Sequence, residues 1–112
     1  MPTDFLSVND ITNAELQTLL DWGDQYHSRT ETGRPLTGKS VVLLFEKPSL
    51  RTKLSFDIGV YELGGHAIYM GGNEVGLDTR ESIEDAASVL ERWVSAIVAR
   101  VTNHHSLERL AA

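Results

Sequence analysis

Val41-Val42-Leu43-Leu44-Phe45-Glu46-Lys47-Pro48-Ser49-Leu50-Arg51-Thr52 decides the fold. Its first five residues form an unbroken apolar run, short and rich in strand formers. That pattern predicts a strand buried on both faces, as in a parallel sheet. Pro48 turns the chain, and a helical pattern follows in which Leu54, Ile58 and Tyr61 with Leu63 can face a core. Gly64-Gly65 stops that helix. Buried strand, turn and amphipathic helix make the first half of a βαβ unit.

The rest of the chain extends the pattern. Upstream, Thr12-Asn13-Ala14-Glu15 has the form of a capping box, and Leu16, Leu19, Leu20 and Tyr26 follow near one helical face. Residues 30–38 read as a loop. Downstream, His66 to Met70 reads as a second strand and residues 73–80 as a polar loop. A third helix is expected from Glu81 to about Trp93, with Ile83, Ala86, Ala87, Leu90 and Val94 on its apolar side. Ser95 to Ala99 reads as a third strand leading into Arg100. Ser106 is expected to cap a further helix, Leu107 to Ala112. Trp22 and Trp93 are expected to pack in the core or at a subunit contact. The predicted fold class is α/β: a three-layer α-β-α arrangement with a parallel sheet, a βαβαβ core after an N-terminal helix. Right-handed crossovers gather the loops at 46–50, 71–80 and 100–105 at one sheet edge, where open α/β sheets bind ligands.

The totals narrow the partners. The 112 residues carry a net charge of −6, against the basic excess of a nucleic-acid binder, so none is expected as a partner. No apolar run is long enough for a membrane span, and no secretory leader is evident. The absence of cysteine removes disulfides and thiolate chemistry and fits a reducing, cytoplasmic compartment.

Gly33-Arg34-Pro35-Leu36-Thr37-Gly38-Lys39-Ser40 matches the P-loop pattern, but in the wrong place. A P-loop follows a strand and opens a helix, whereas this stretch follows a helix and opens a strand. It is read as coincidence. His104 and His105, adjacent and without further ligands nearby, are read as surface or capping residues and not as a metal pair. His66, opening a strand, is read as a packing or turn contact.

Ser49 to Thr52 carries the chemistry. The first amides of a helix lack internal partners, and the helix dipole makes that end positive. Ser49 and Thr52 add hydroxyls, and Arg51 can give paired hydrogen bonds to phosphate oxygens. Lys47, Arg51 and Lys53 against Glu46 give a local charge of +2. The plain alternative is a serine N-cap followed by solvated basic side chains.

Residues 45–56, Phe-Glu-Lys-Pro-Ser-Leu-Arg-Thr-Lys-Leu-Ser-Phe, resemble the carbamoyl-phosphate signature of the aspartate/ornithine carbamoyltransferases, whose core is Ser-Thr-Arg-Thr. Leu63-Gly64-Gly65-His66, then Glu81-Ser82 with Asp85, and Ala99-Arg100-Val101 with Asn103-His104 and Leu107-Glu108 are similar to further family stretches, in the same order. The Phe-Glu-Lys-Pro-Ser form resembles the ornithine branch. Leu77-Asp78-Thr79-Arg80 lacks the lysine that the aspartate branch carries there.

The resemblance implies a partial carbamoyl-phosphate-binding domain over residues 1–112, truncated before the end of that domain, with the amino-acid-binding second domain absent. Carbamoyl phosphate would be held by Ser49, Arg51, the backbone near Leu50 and Thr52, and Arg100. Arg51, Thr52 and Arg100 would be catalytic, the last two polarising the carbonyl. Ornithine would bind through the missing domain and yield citrulline and phosphate, in arginine biosynthesis. No cofactor and no metal are implied, and a cytoplasmic homotrimer is expected for the full-length enzyme. Leu50 departs from the family's threonine and Lys53 from its commoner arginine. The family's His-Pro-x-Gln motif is not present, so this chain alone is expected to be inactive. Sibling enzymes that use aspartate, putrescine or an acylated ornithine remain alternatives, as does a phosphate-binding module without catalysis.

Overall fold

In the computed structural model, Val41 to Phe45 are buried, and they form the middle of the sheet. The structure describes residues 4–28, 33–47, 49–71 and 83–112. It divides into two units, residues 1–33 and residues 34–112.

In the first unit, α1 spans Asn13–His27. The expected capping box is present: the Glu15 amide donates to Thr12 Oγ1 at 3.1 Å, and the Thr12 amide donates to the Glu15 carboxylate at 2.9 Å. The backbone bond from Thr12 holds the Glu15 carboxyl below its usual pKa. A short 3-10 turn, Val8–Asp10, precedes it and carries its own capping box from Ser7, which the sequence reading did not include. Trp22 is half exposed on α1, outside any core.

In the second unit, the order is β1 (Ser40–Phe45), α2 (Leu50–Glu62), β2 (His66–Gly71), α3 (Ile83–Trp93), β3 (Ala96–Arg100) and α4 (His104–Ala111). The strands are parallel and lie in the order β2-β1-β3. Phe45 is level with Gly71 on one side and Arg100 on the other. All three C-terminal ends therefore share one edge, as expected.

Alternation along β1 supplies both faces of the core. Val41, Leu43 and Phe45 pack with Val60 of α2 and with Tyr69 and Val98. Val42 and Leu44 meet Leu90, Val94 and Leu110 on the opposite face. Ile83 and Ala86 are buried on α3, matching its expected apolar side. Helices thus cover both faces of the sheet. The fold class is α/β with a parallel sheet.

Several expectations need correction. Leu54, Ile58 and Tyr61 do not face the sheet; all three are exposed, and Val60 is the buried residue of α2. Lys53, seven residues before Val60, shares its face. Its ammonium lies 4.1 Å from the centre of the Tyr69 ring, so a residue read as polar turns inward toward the sheet. Trp93 is 76% exposed, so it is not a core residue of this chain. Ser106 does not cap the last helix. Asn103 does, accepting from the His105 amide at 2.9 Å, so α4 begins earlier. The expected loop at 73–80, the turn at Pro48 and the helix start at Glu81-Ser82 lie outside the described residues.

The end of α2 confirms the stop at Gly64-Gly65. Gly64 has φ +92°, a conformation that glycine adopts without strain. The Gly64 amide donates to the Tyr61 carbonyl and the Gly65 amide to the Val60 carbonyl, both at 2.9 Å. That pair of bonds is a Schellman cap. Between α3 and α4, Arg109 grips Glu84 with two bonds, 2.6 Å and 2.7 Å. This contact holds the Glu84 carboxyl at about 2, well below its usual range.

Candidate functional site

Ser49 is the N-cap residue of α2, with extended backbone, yet its side chain makes no capping bond. The hydroxyl is engaged elsewhere. It donates to Thr52 Oγ1 at 3.0 Å and accepts from Arg100 Nη1 at 2.8 Å. The same Nη1 reaches Thr52 Oγ1 at 3.4 Å. Ser49 and Arg100 are 51 positions apart in sequence, so only the sheet brings them together.

Topology explains the meeting. β1 is followed by β2 on one side, and the chain then crosses to β3 on the other. The crevice between the C-terminal ends of β1 and β3 is the switch point, where doubly wound sheets place ligands. The first turn of α2 opens there. Its first intrahelical bond runs from the Lys53 amide to the Ser49 carbonyl at 2.9 Å, so the amides of Leu50, Arg51 and Thr52 precede the ladder.

Of the residues expected in the site, the structure brings together Ser49, Thr52 and Arg100. Arg51 lies on the same turn, exposed, and makes no hydrogen bond or ion pair among the described residues. Leu50 is 71% exposed and offers only its backbone amide. Lys53, counted with the local positive charge, is committed to Tyr69. The stretch whose P-loop match was read as coincidence is a turn containing Gly38, and Lys39 leads into a strand, β1, and not into a helix. That excludes phosphate cradling of the P-loop kind.

From sequence alone, Glu46 counts only as a charge. In the structure its amide donates to the Arg100 carbonyl at 2.9 Å. Its carboxylate accepts from the Thr102 amide at 3.3 Å and lies 3.5 Å from the Thr102 hydroxyl. A parallel register aligned on the ends of the two apolar runs would have placed Glu46 beside this segment.

A buried-strand edge carrying two hydroxyls, a guanidinium and free helix amides can hold a dianion. The family model described as the aspartate/ornithine carbamoyltransferase, carbamoyl-P binding domain matches residues 3–112. The chain belongs to the aspartate/ornithine carbamoyltransferase family. It is 46% identical over 109 residues to the ornithine carbamoyltransferase of Deinococcus radiodurans, covering 96% of this chain and 35% of that protein. The crystal structure of the Thermus thermophilus ornithine carbamoyltransferase superposes with a TM-score of 0.90 at 43% identity, over 99% of this chain and 39% of that one. A solved N-acetyl-L-ornithine transcarbamylase variant, complexed with carbamyl phosphate and N-succinyl-L-norvaline, superposes with a TM-score of 0.77 at 36% identity. That match covers 89% of this chain and 33% of the carbamoyltransferase it is compared with. The chain spans about a third of the length of the curated carbamoyltransferases it matches.

Proposed function

We propose that this chain is the carbamoyl-phosphate-binding part of an ornithine carbamoyltransferase. The observation that carries the reading is the Ser49–Thr52–Arg100 cluster at the switch point beside the open first turn of α2. The phosphate sits at the helix start, held by Ser49 Oγ, the amides of Leu50 to Thr52, Arg51 and Arg100. Thr52 and Arg100 also face the carbonyl oxygen.

The δ-amine of ornithine attacks the carbonyl carbon as the neutral base. A C–N bond forms and the carbonyl oxygen becomes negative, stabilised by Thr52 and Arg100. Fixed donors of this kind lower the barrier by about 3–4 kcal/mol each. The C–O bond to phosphate then breaks, the amine loses a proton to the departing phosphate, and citrulline remains.

Ornithine is preferred to its acylated forms on family likeness alone, the Thermus ornithine enzyme being 43% identical to this chain and the acetylornithine enzyme 36%. The ornithine site belongs to a second domain outside these 112 residues. The exposed apolar residues Leu54, Ile58 and Tyr61 on α2 support a subunit contact, and a homotrimer is the proposed assembly. No helix of the described residues is long and apolar enough to cross a membrane. The proposed setting is cytoplasmic arginine biosynthesis.

Calorimetric titration tests the reading. Carbamoyl phosphate should bind, and Arg51→Ala should weaken it by about tenfold or more, the value of a charge-assisted hydrogen bond. ATP binding that depends on Lys39 would overturn it.

A further inference from the structure

We infer that Glu46 is a positioning residue that aims Arg100 at the anion site, an inference that rests on the carbamoyl-phosphate reading. Arg100 is the last residue of β3, an exposed position where strand ends fray. Its guanidinium must nevertheless stay within hydrogen-bonding reach of Ser49 and Thr52. Glu46 holds the backbone on both sides of that demand. Its amide takes the Arg100 carbonyl and closes the β1–β3 ladder. Its carboxylate takes the Thr102 amide two residues further on and approaches the Thr102 hydroxyl. Glu46 is also three residues before Ser49, so both halves of the cluster are tied to one residue.

Electrostatics makes the inference testable by sign. A carboxylate beside an anion site repels the anion, so a Glu46 that acted by charge alone would oppose binding. Its removal would then tighten carbamoyl phosphate. A Glu46 that positions Arg100 gives the opposite result. Thr102 engages the carboxylate, while the Arg100 Nη1 contacts are both hydroxyls.

The experiment compares the full-length wild type with Glu46→Ala, Glu46→Gln, Arg100→Lys and the Glu46→Ala/Arg100→Lys double variant, with circular dichroism as the check of folding. Glu46→Ala should weaken carbamoyl phosphate by about tenfold, within the range for residues sharing one hydrogen-bond network. Glu46→Gln, whose amide oxygen still accepts from Thr102, should bind like the wild type. The double variant should bind no more weakly than Arg100→Lys alone. Tighter binding by Glu46→Ala, or the same fold loss in both Arg100 backgrounds, overturns the proposal. A second reading needs no ligand: the Arg100 guanidinium NMR resonances should move toward their solvent-exposed values in Glu46→Ala. Unchanged resonances overturn the positioning role by themselves. Failure of the wild type to bind carbamoyl phosphate, with those resonances shifted as expected, instead overturns the substrate reading.

Discussion

Ser49→Ala separates a helix cap from a phosphate grip. A working serine or threonine cap loses about 1 kcal/mol when its hydroxyl is removed. Ser49 occupies the cap position of α2 but makes no capping bond, so that loss is not expected. What disappears are its bonds to Thr52 and Arg100, at a half-exposed edge where water replaces them. The cost to stability should stay within about 0.5 kcal/mol, as for surface substitutions. Binding should behave differently. A hydrogen bond to a charged group contributes about 1.5–3 kcal/mol, so carbamoyl phosphate should weaken by roughly 10- to 100-fold. Thr12→Ala is the matched control. Thr12 does cap, through the reciprocal bonds to Glu15, so it should lose about 1 kcal/mol and leave the ligand untouched. Urea denaturation midpoints and calorimetric titration of the same preparations give both quantities. If Ser49→Ala lost a full cap's stability while binding carbamoyl phosphate normally, the serine would be a cap and the reasoning would fail.

Two further outcomes follow from particular contacts. Leu50→Thr should tighten carbamoyl phosphate by about tenfold, because a threonine hydroxyl restores one charge-assisted bond and the exposed leucine gives up little packing; titration showing no gain would mean that only the backbone faces the anion there. Glu84 is ionised down to about pH 2 in the folded protein, so its contribution to stability is full above its ordinary value near 4.5 and is lost as pH falls from there through about 2. Glu84→Gln should therefore flatten the fall in urea midpoint between those pH values, and an unchanged acid profile would show that the Arg109 pair does not couple to folding.

Much of the fold was legible because β1 is unambiguous. Five successive apolar residues, rich in strand formers and bounded by turn residues, point to a strand covered on both faces, and elements alternate on either side of it. The C-terminal end of α2 was legible for a different reason, since paired glycines carry local backbone demands that no distant contact alters. The face of α2 was not legible. Periodicity counts lysine as polar, whereas Lys53 sits with its charge over Tyr69 on the inward face that Val60 shares, and Leu54, Ile58 and Tyr61 are exposed. For Trp93 the core alternative fails and the subunit contact stays open, because aromatic size suggests burial without fixing which surface does the burying. For the site, Ser49, Thr52 and Arg100 could be named from local motifs, but Glu46 could not. Its part depends on the register of β3 against β1, a property of pairs of strands that no single stretch contains.

That register also ties the site to the sheet. Val98 packs on the α2 side, with Val41, Leu43 and Phe45, whereas Ile97 and Ala99 pack on the opposite side. Side chains alternate along a strand, so Arg100 shares the face of Val98 and points toward the start of α2. A slip of β3 by one residue would send Val98 to the wrong face and carry Arg100 away from Ser49 and Thr52. The apolar core on the α2 side therefore fixes the direction of the guanidinium, while Glu46 fixes the end of the strand that bears it. Binding of the anion and packing of the sheet are two readings of one register, and a core substitution at Val98 should weaken carbamoyl phosphate without touching it.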